Sequence, residues 1–201
     1  MSFFPTDLEI SEPEHEDFAP PPWWQTPEDE IPSIAATSRL LAVTHHVAVA
    51  LIGADVYRNG VEFRIERRLR RNGMPAREWN ESIAVFTEHS PFGGRGVDLG
   101  RLRYGLVLGD GERVLDDAPY AGGADPMSPP EGHALRRMGS ESSGGRGSFT
   151  GRDRLWLWPA PPAGPIDFVM QWPALEIDET RVLIDGDELI AQIPHVKQFW
   201  E

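Results

Sequence analysis

The sequence predicts an all-β protein: an antiparallel β-sandwich of about eight or nine strands, with an extended N-terminal arm and a short C-terminal helix. Three observations carry the prediction. The 19 prolines and 20 glycines make up about a fifth of the 201 residues, against about 12% on average, and long helices cannot absorb so many breakers. Short runs of alternating apolar and polar residues are separated by turn residues, the signature of half-buried strands. The strands follow one another without intervening helical stretches, which fits two packed antiparallel sheets better than βα units.

Residues 1–33 read as an acidic, proline-rich arm. Nine carboxylates, from Asp7 to Glu30, precede the first basic residue, Arg39, and no periodicity would let the segment bury enough surface to fold alone. Within it stands Pro20-Pro21-Pro22-Trp23-Trp24. Two adjacent indoles are costly to leave in water, so they either dock on the domain's own surface or anchor a partner.

Residues 34–201 read as a single sandwich domain. Strands are expected at 38–43, 47–57 and 61–71, the last two joined at Asn59-Gly60, a strong two-residue hairpin signal. That turn sets Arg58 opposite Val61, Val56 opposite Phe63, Ala54 opposite Ile65 and Ala50 opposite Leu69. Arg67 then interrupts an apolar face, meeting Ile52, and Asp55–Arg64 forms an ion pair on the other face. Residues 82–87 read as a further strand. A second hairpin, 102–108 with 112–115, turns at Asp110-Gly111 and sets Leu108 opposite Arg113. Residues 117–151 are rich in Gly, Ser and Pro, and composition favours a flexible loop. Strands follow at 155–158, 166–172 and 181–184. Asp185 with Glu188 reads as a helix start, although Asp185-Gly186 also suits a hairpin; Pro194 keeps any helix short. Trp156 and Trp158 share one face of their strand and Leu155 and Leu157 the other. A strand apolar on both sides lies centrally in its sheet and needs a cover on each, such as the arm or a second subunit.

The run Leu155-Trp-Leu-Trp-Pro-Ala-Pro-Pro-Ala-Gly-Pro-Ile-Asp-Phe-Val-Met-Gln-Trp-Pro173, the strands over 40–69 and the closing Phe199-Trp200 resemble a family of small β-rich proteins from high-GC Gram-positive bacteria. The resemblance covers most of residues 20–201. It implies a fold and a lineage; its motifs are apolar, no activity is established for the family, and it designates no catalytic residues.

The chemistry carried by the chain is sparse. Without cysteine there is no disulfide, thiol nucleophile or zinc–thiolate site. The net charge of −13 argues against nucleic acid or an anionic membrane as main partner. No apolar run is long enough to span a bilayer, and the acidic start lacks signal-peptide character, so the expected location is cytoplasmic. His45-His46 reads as a turn, since neighbours on a strand point to opposite faces and cannot grip one ion; no metal or cofactor is expected. Gly144-Gly-Arg-Gly-Ser148 lacks the Lys-Ser/Thr ending of a phosphate loop. Glu88 with His89, and Asp153, are the least implausible acid–base groups, each better explained as a surface residue. The reading that remains is a non-enzymatic interaction or scaffold module, with Trp23, Trp24, Trp156 and Trp158 as the binding residues for a protein partner or a second copy. A carbohydrate-binding or carbohydrate-active sandwich is the alternative.

Overall fold

The computed structural model describes residues 20–87, 100–116 and 128–200. In order the elements are β1 (Glu30–Ile31), β2 (Ser33–Ala35), β3 (Arg39–Val43), β4 (Val47–Val56), β5 (Val61–Arg70), α1 (Ala76–Thr87), β6 (Arg103–Val107), β7 (Arg113–Leu115), β8 (Ala134–Gly144), β9 (Ser148–Trp158), β10 (Pro165–Trp172), β11 (Ile177–Asp185), α2 (Gly186–Ile190) and β12 (Lys197–Gln198). A large sheet runs β2-β4-β5-β9-β8 with β3 also on β4, and a small one runs β11-β10-β6-β7. The expected sandwich is present. Every strand pairing is antiparallel.

The two sheets meet through alternate residues. Phe63, Ile65, Leu155 and Leu157 of the large sheet face Leu106, Phe168, Met170 and Trp172 of the small one, all buried, and Phe63 meets Phe168 edge-on with centroids 5.7 Å apart. Each such side chain contributes about 1.5–3 kcal/mol on leaving water. The alternation expected in residues 166–172 is realised: Ile166, Phe168, Met170 and Trp172 all point inward.

The β4–β5 hairpin departs from the expected turn. Its first pair is Val56–Val61, and residues 57–60 form a four-residue loop closed by Tyr57 N–H donating to the Gly60 carbonyl at 2.9 Å. A two-residue shift preserves parity, so Val56, Ala54 and Phe63 stay inward. A bulge at Ile52 then reverses parity, turning Val49 and Leu51 inward and setting Arg67 opposite Val49 in the core. The Asp55–Arg64 ion pair forms, at 3.4 Å.

The β6–β7 turn also differs, by one residue: Leu106 faces Val114 and Val107 faces Arg113. Gly109, Asp110 and Gly111 make a three-residue loop with Gly111 at φ 90°, the glycine-dependent conformation of such loops. This register buries Leu106, Leu108 and Val114 together.

Two larger expectations are corrected. Residues 82–87 belong to α1, not a strand. Trp79 and Phe86, seven residues apart, bury one helical face with Ile83 packed between them, and Phe86 stacks on Trp172 at 5.7 Å. Residues 134–144 and 148–151 are not a flexible loop: they form the long β8–β9 hairpin, with Gly144–Ser148 as its turn. β8 has few large side chains, and its pairing is imposed by β9, which β5 holds from the other side. Residues 117–127 of the expected loop lie outside the described residues. Asp185 starts α2 as a cap, accepting from the N–H groups of Asp187 and Glu188; the alternative hairpin does not form.

Candidate functional site

β9 presents Trp156 and Trp158 on the outer face of the large sheet, at the end where β4 and β5 close their loop. The arm meets them there. Trp24 N–H donates to the Pro21 carbonyl at 2.9 Å, closing a turn. The Pro22 carbonyl accepts from the Trp156 indole N–H at 2.9 Å. Trp23 lies 5.6 Å from Trp158, and Trp24 packs beneath the Arg136 guanidinium, 5.0 Å from its ring centre. From the opposite side Tyr57 meets Trp156 edge-on at 5.5 Å and hydrogen-bonds Thr26 of the arm.

The result is a sealed indole: Trp156 is 0% exposed, although its face of the sheet points away from the core. Burying an aromatic of this size contributes about 4–6 kcal/mol before the entropy of ordering the arm is subtracted. The fit demands Gly60, where a Cβ would stand 2.4 Å from the Trp156 ring and 2.5 Å from the Leu157 carbonyl.

Charged groups border the aromatic cluster. Glu62 is buried beside Trp156, its register partner. Burial pushes its carboxyl above the ordinary value, and Arg154, 3.8 Å away, only partly offsets this. Burial raises Asp55 likewise, against the pull of Arg64. The arrangement offers aromatic rings set edge-on and tilted to one another, an N–H donor aimed at a peptide carbonyl, and a cation over one ring. Each of these contacts holds a peptide segment against the sheet.

The four tryptophans singled out in the sequence thus gather at one place, where the arm's Trp23 meets Trp158, Trp24 meets Arg136 and Trp156 bonds the Pro22 carbonyl. Other candidates fall elsewhere. His45 and His46 sit in the β3–β4 turn with rings 4.6 Å apart; His45 bonds Asn72 and His46 the Arg70 carbonyl. Among the described residues no group of three or more His, Asp or Glu could hold a metal. Glu88 and His89 lie outside the described residues.

Asp153 is no surface residue. It lies buried between the sheets in a network the sequence signalled only through Arg67, the charge on an apolar face. Arg67 contacts the carboxylate twice, through Nη2 at 2.9 Å and Nε at 2.8 Å. Ser140 and Tyr104 hydroxyls donate to it at 2.7 and 2.8 Å. Arg67 also donates to the Phe86 carbonyl and lies over the Phe86 and Trp172 rings. Its room comes from Gly151, where a Cβ would sit 2.8 Å from the guanidinium carbon. Burial alone would raise the Asp153 carboxyl, but Arg67, Arg137 and the two hydroxyls together hold it below its ordinary value. Burial, with Asp153 beside it, lifts the Tyr104 phenol well above its own. A carboxylate so engaged is a structural anion, unavailable as a base.

A second polar contact the sequence did not reveal joins His133 to Glu112 at 2.5 Å, bracing the β6–β7 turn against the segment before β8. No family model, curated protein or solved structure matches the chain.

Proposed function

We propose that the chain is a non-enzymatic protein-interaction module whose aromatic groove, formed by Tyr57, Trp156 and Trp158, binds a proline- and tryptophan-containing segment of a protein partner. In the isolated chain its own residues 20–24 occupy that groove. The observation that carries the reading is the Trp156 indole N–H donating to the Pro22 carbonyl. An indole that bonds a proline carbonyl on an aromatic surface is the chemistry by which proline-rich segments are recognised. A partner segment, including the arm of a second copy, would satisfy the same donor and rings. Carbohydrate binding needs open aromatic faces. Among the tryptophans of the described residues only Trp200 is exposed, at 85%, beside the exposed Phe199, so the four tryptophans of the groove lend that reading no open face.

The test uses the full chain and a labelled peptide of residues 18–29. Trp23→Ala with Trp24→Ala weakens the resident arm, so this variant should bind the peptide while the unaltered chain binds it far more weakly. Adding Trp156→Phe, which keeps the ring and removes the donor, should reduce binding several-fold. If the folded double variant ignores millimolar peptide, the groove is a structural seal and the proposal fails.

A further inference from the structure

The outer face of the small sheet carries a second site. Alternation directs Tyr104, Leu106, Phe168 and Met170 inward, which leaves Arg103, Gly105 and Val107 of β6, and Val169 and Gln171 of β10, facing out. Strand pairing lines up Arg181, Val169, Gly105 and Leu115 across the four strands. At Gly105 the row has no side chain. Leu115 leans over the gap, since a Cβ on Gly105 would meet its Cδ2 at 3.1 Å. The outcome is a groove of about 270 Å³ with an apolar floor, just below the ~300–1,000 Å³ of sites for drug-sized ligands.

Three guanidinium groups and one carboxylate, Glu179, rim this floor: Arg103 beside Gln171, Arg113 beside Val107, and Arg181 at the β11 edge. Arg181 is paired with Glu179 at 2.8 Å. Arg103 and Arg113 make no ion pair among the described residues, in a chain whose net charge is −13. Leu115 and Leu183 are 54% and 60% exposed on this face. Two arginines without an acidic partner among the described residues, set around an apolar strip, complement the charge and polarity of an amphipathic anion.

We infer that this groove binds a small amphipathic carboxylate, with its hydrocarbon body on Val169, Gly105 and Leu115 and its carboxylate on Arg103 or Arg113. A guanidinium fork matches a carboxylate in two parallel hydrogen bonds, which an ammonium cannot reproduce.

Octanoate is the probe, titrated calorimetrically into the full chain, with acetate and inorganic phosphate as controls. Octanoate should bind at least tenfold more tightly than either control, since acetate lacks the body and phosphate the apolar contact. Arg103→Ala with Arg113→Ala should weaken octanoate at least tenfold, and the Lys pair should recover only part of the loss. Both arginines are exposed, so the variants should keep the unaltered melting temperature, which is measured alongside. Anionic phosphatidylglycerol vesicles separate a free ligand from a lipid surface and should not sediment the protein. The inference is overturned if octanoate binds no better than acetate, if the Ala pair binds it unchanged, or if only vesicles are bound.

Discussion

Arg67 and Asp153 show how much one side chain can decide. A buried charge pair is weak evidence of net stability, but removing one partner strands the other and costs about 3–5 kcal/mol. Asp153→Asn should therefore lower the unfolding free energy by about that amount in denaturant titrations. Replacing both, Arg67→Met with Asp153→Leu, should cost less than the single change. The pH dependence has a definite sign. The Asp153 carboxyl is held below its ordinary value in the folded chain, so in acid the unfolded chain binds the extra proton. The stability this group supplies is complete above about pH 4 and is lost as pH falls through the folded value. The gap between the unaltered protein and Asp153→Asn should accordingly be wide at pH 7 and narrow in acid; a constant gap would refute the assignment. Glu62 has the opposite sign. Its carboxyl is raised by burial despite Arg154, so the folded chain holds the proton longer and stability falls as pH rises above 4.5. Glu62→Gln should gain on the unaltered protein over that range, read from the same titrations. From sequence, Arg67 could be seen as an exception on an apolar face, but its partner lies 86 residues away, a distance no local pattern spans.

At the scale of elements, legibility followed the size of the side chains. β4, β5, β10 and the last four residues of β9 announce themselves because their inward positions hold mostly large apolar side chains; the first part of β9, with Gly151 and Asp153 at those positions, does not. β8 does not, since its outer half, Gly139 to Gly144, has nothing larger than Glu141 and is ordered by a neighbour. The helix α1 was obscured because Ile83, Val85, Phe86 and Thr87 favour strands individually, whereas the burial of Trp79 and Phe86 obeys a helical period. The turns erred for a related reason: Asn59-Gly60 and Asp110-Gly111 mark hairpins correctly, but tertiary packing chose loop lengths of four and three. In the first, Gly60 lies under Trp156 and Tyr57 packs against it. Gly60→Ala should therefore destabilise the protein by about 1–3 kcal/mol, the range for overpacking, and should do so less in a Trp156→Ala background. Equal losses in both backgrounds would assign the effect to the backbone alone.

For the whole molecule, the sandwich was readable, because it rests on apolar patterning that extends over many residues, whereas the meeting of the arm with Trp156 and Trp158 was one of the alternatives the sequence left open. The groove on the small sheet was not, since it arises from three arginines and a glycine on three different strands. The same topology bears on folding. β5 pairs with β9 and β2 meets the C-terminal segment, as in the Ser33–Gln192 hydrogen bond, so most stabilising contacts join distant parts of the chain. Refolding should take milliseconds to seconds, as for other sandwiches rich in non-local pairing, and stopped-flow tryptophan fluorescence should show it; a microsecond main phase would contradict this topology.

The β1–β12 ribbon, in which Glu30 pairs with Gln198 and Ile31 with Lys197, has a consequence for competition at the aromatic groove. It clamps the chain only eight residues after Pro22, so the docking segment is a ligand on a short leash. A leash of that length maintains an effective concentration in the millimolar range. Were the segment's own dissociation constant about 10 μM, an incoming peptide of equal affinity would look about a hundredfold weaker than it is. Cutting the chain between Trp24 and Glu30 would remove that handicap without altering one atom of the groove.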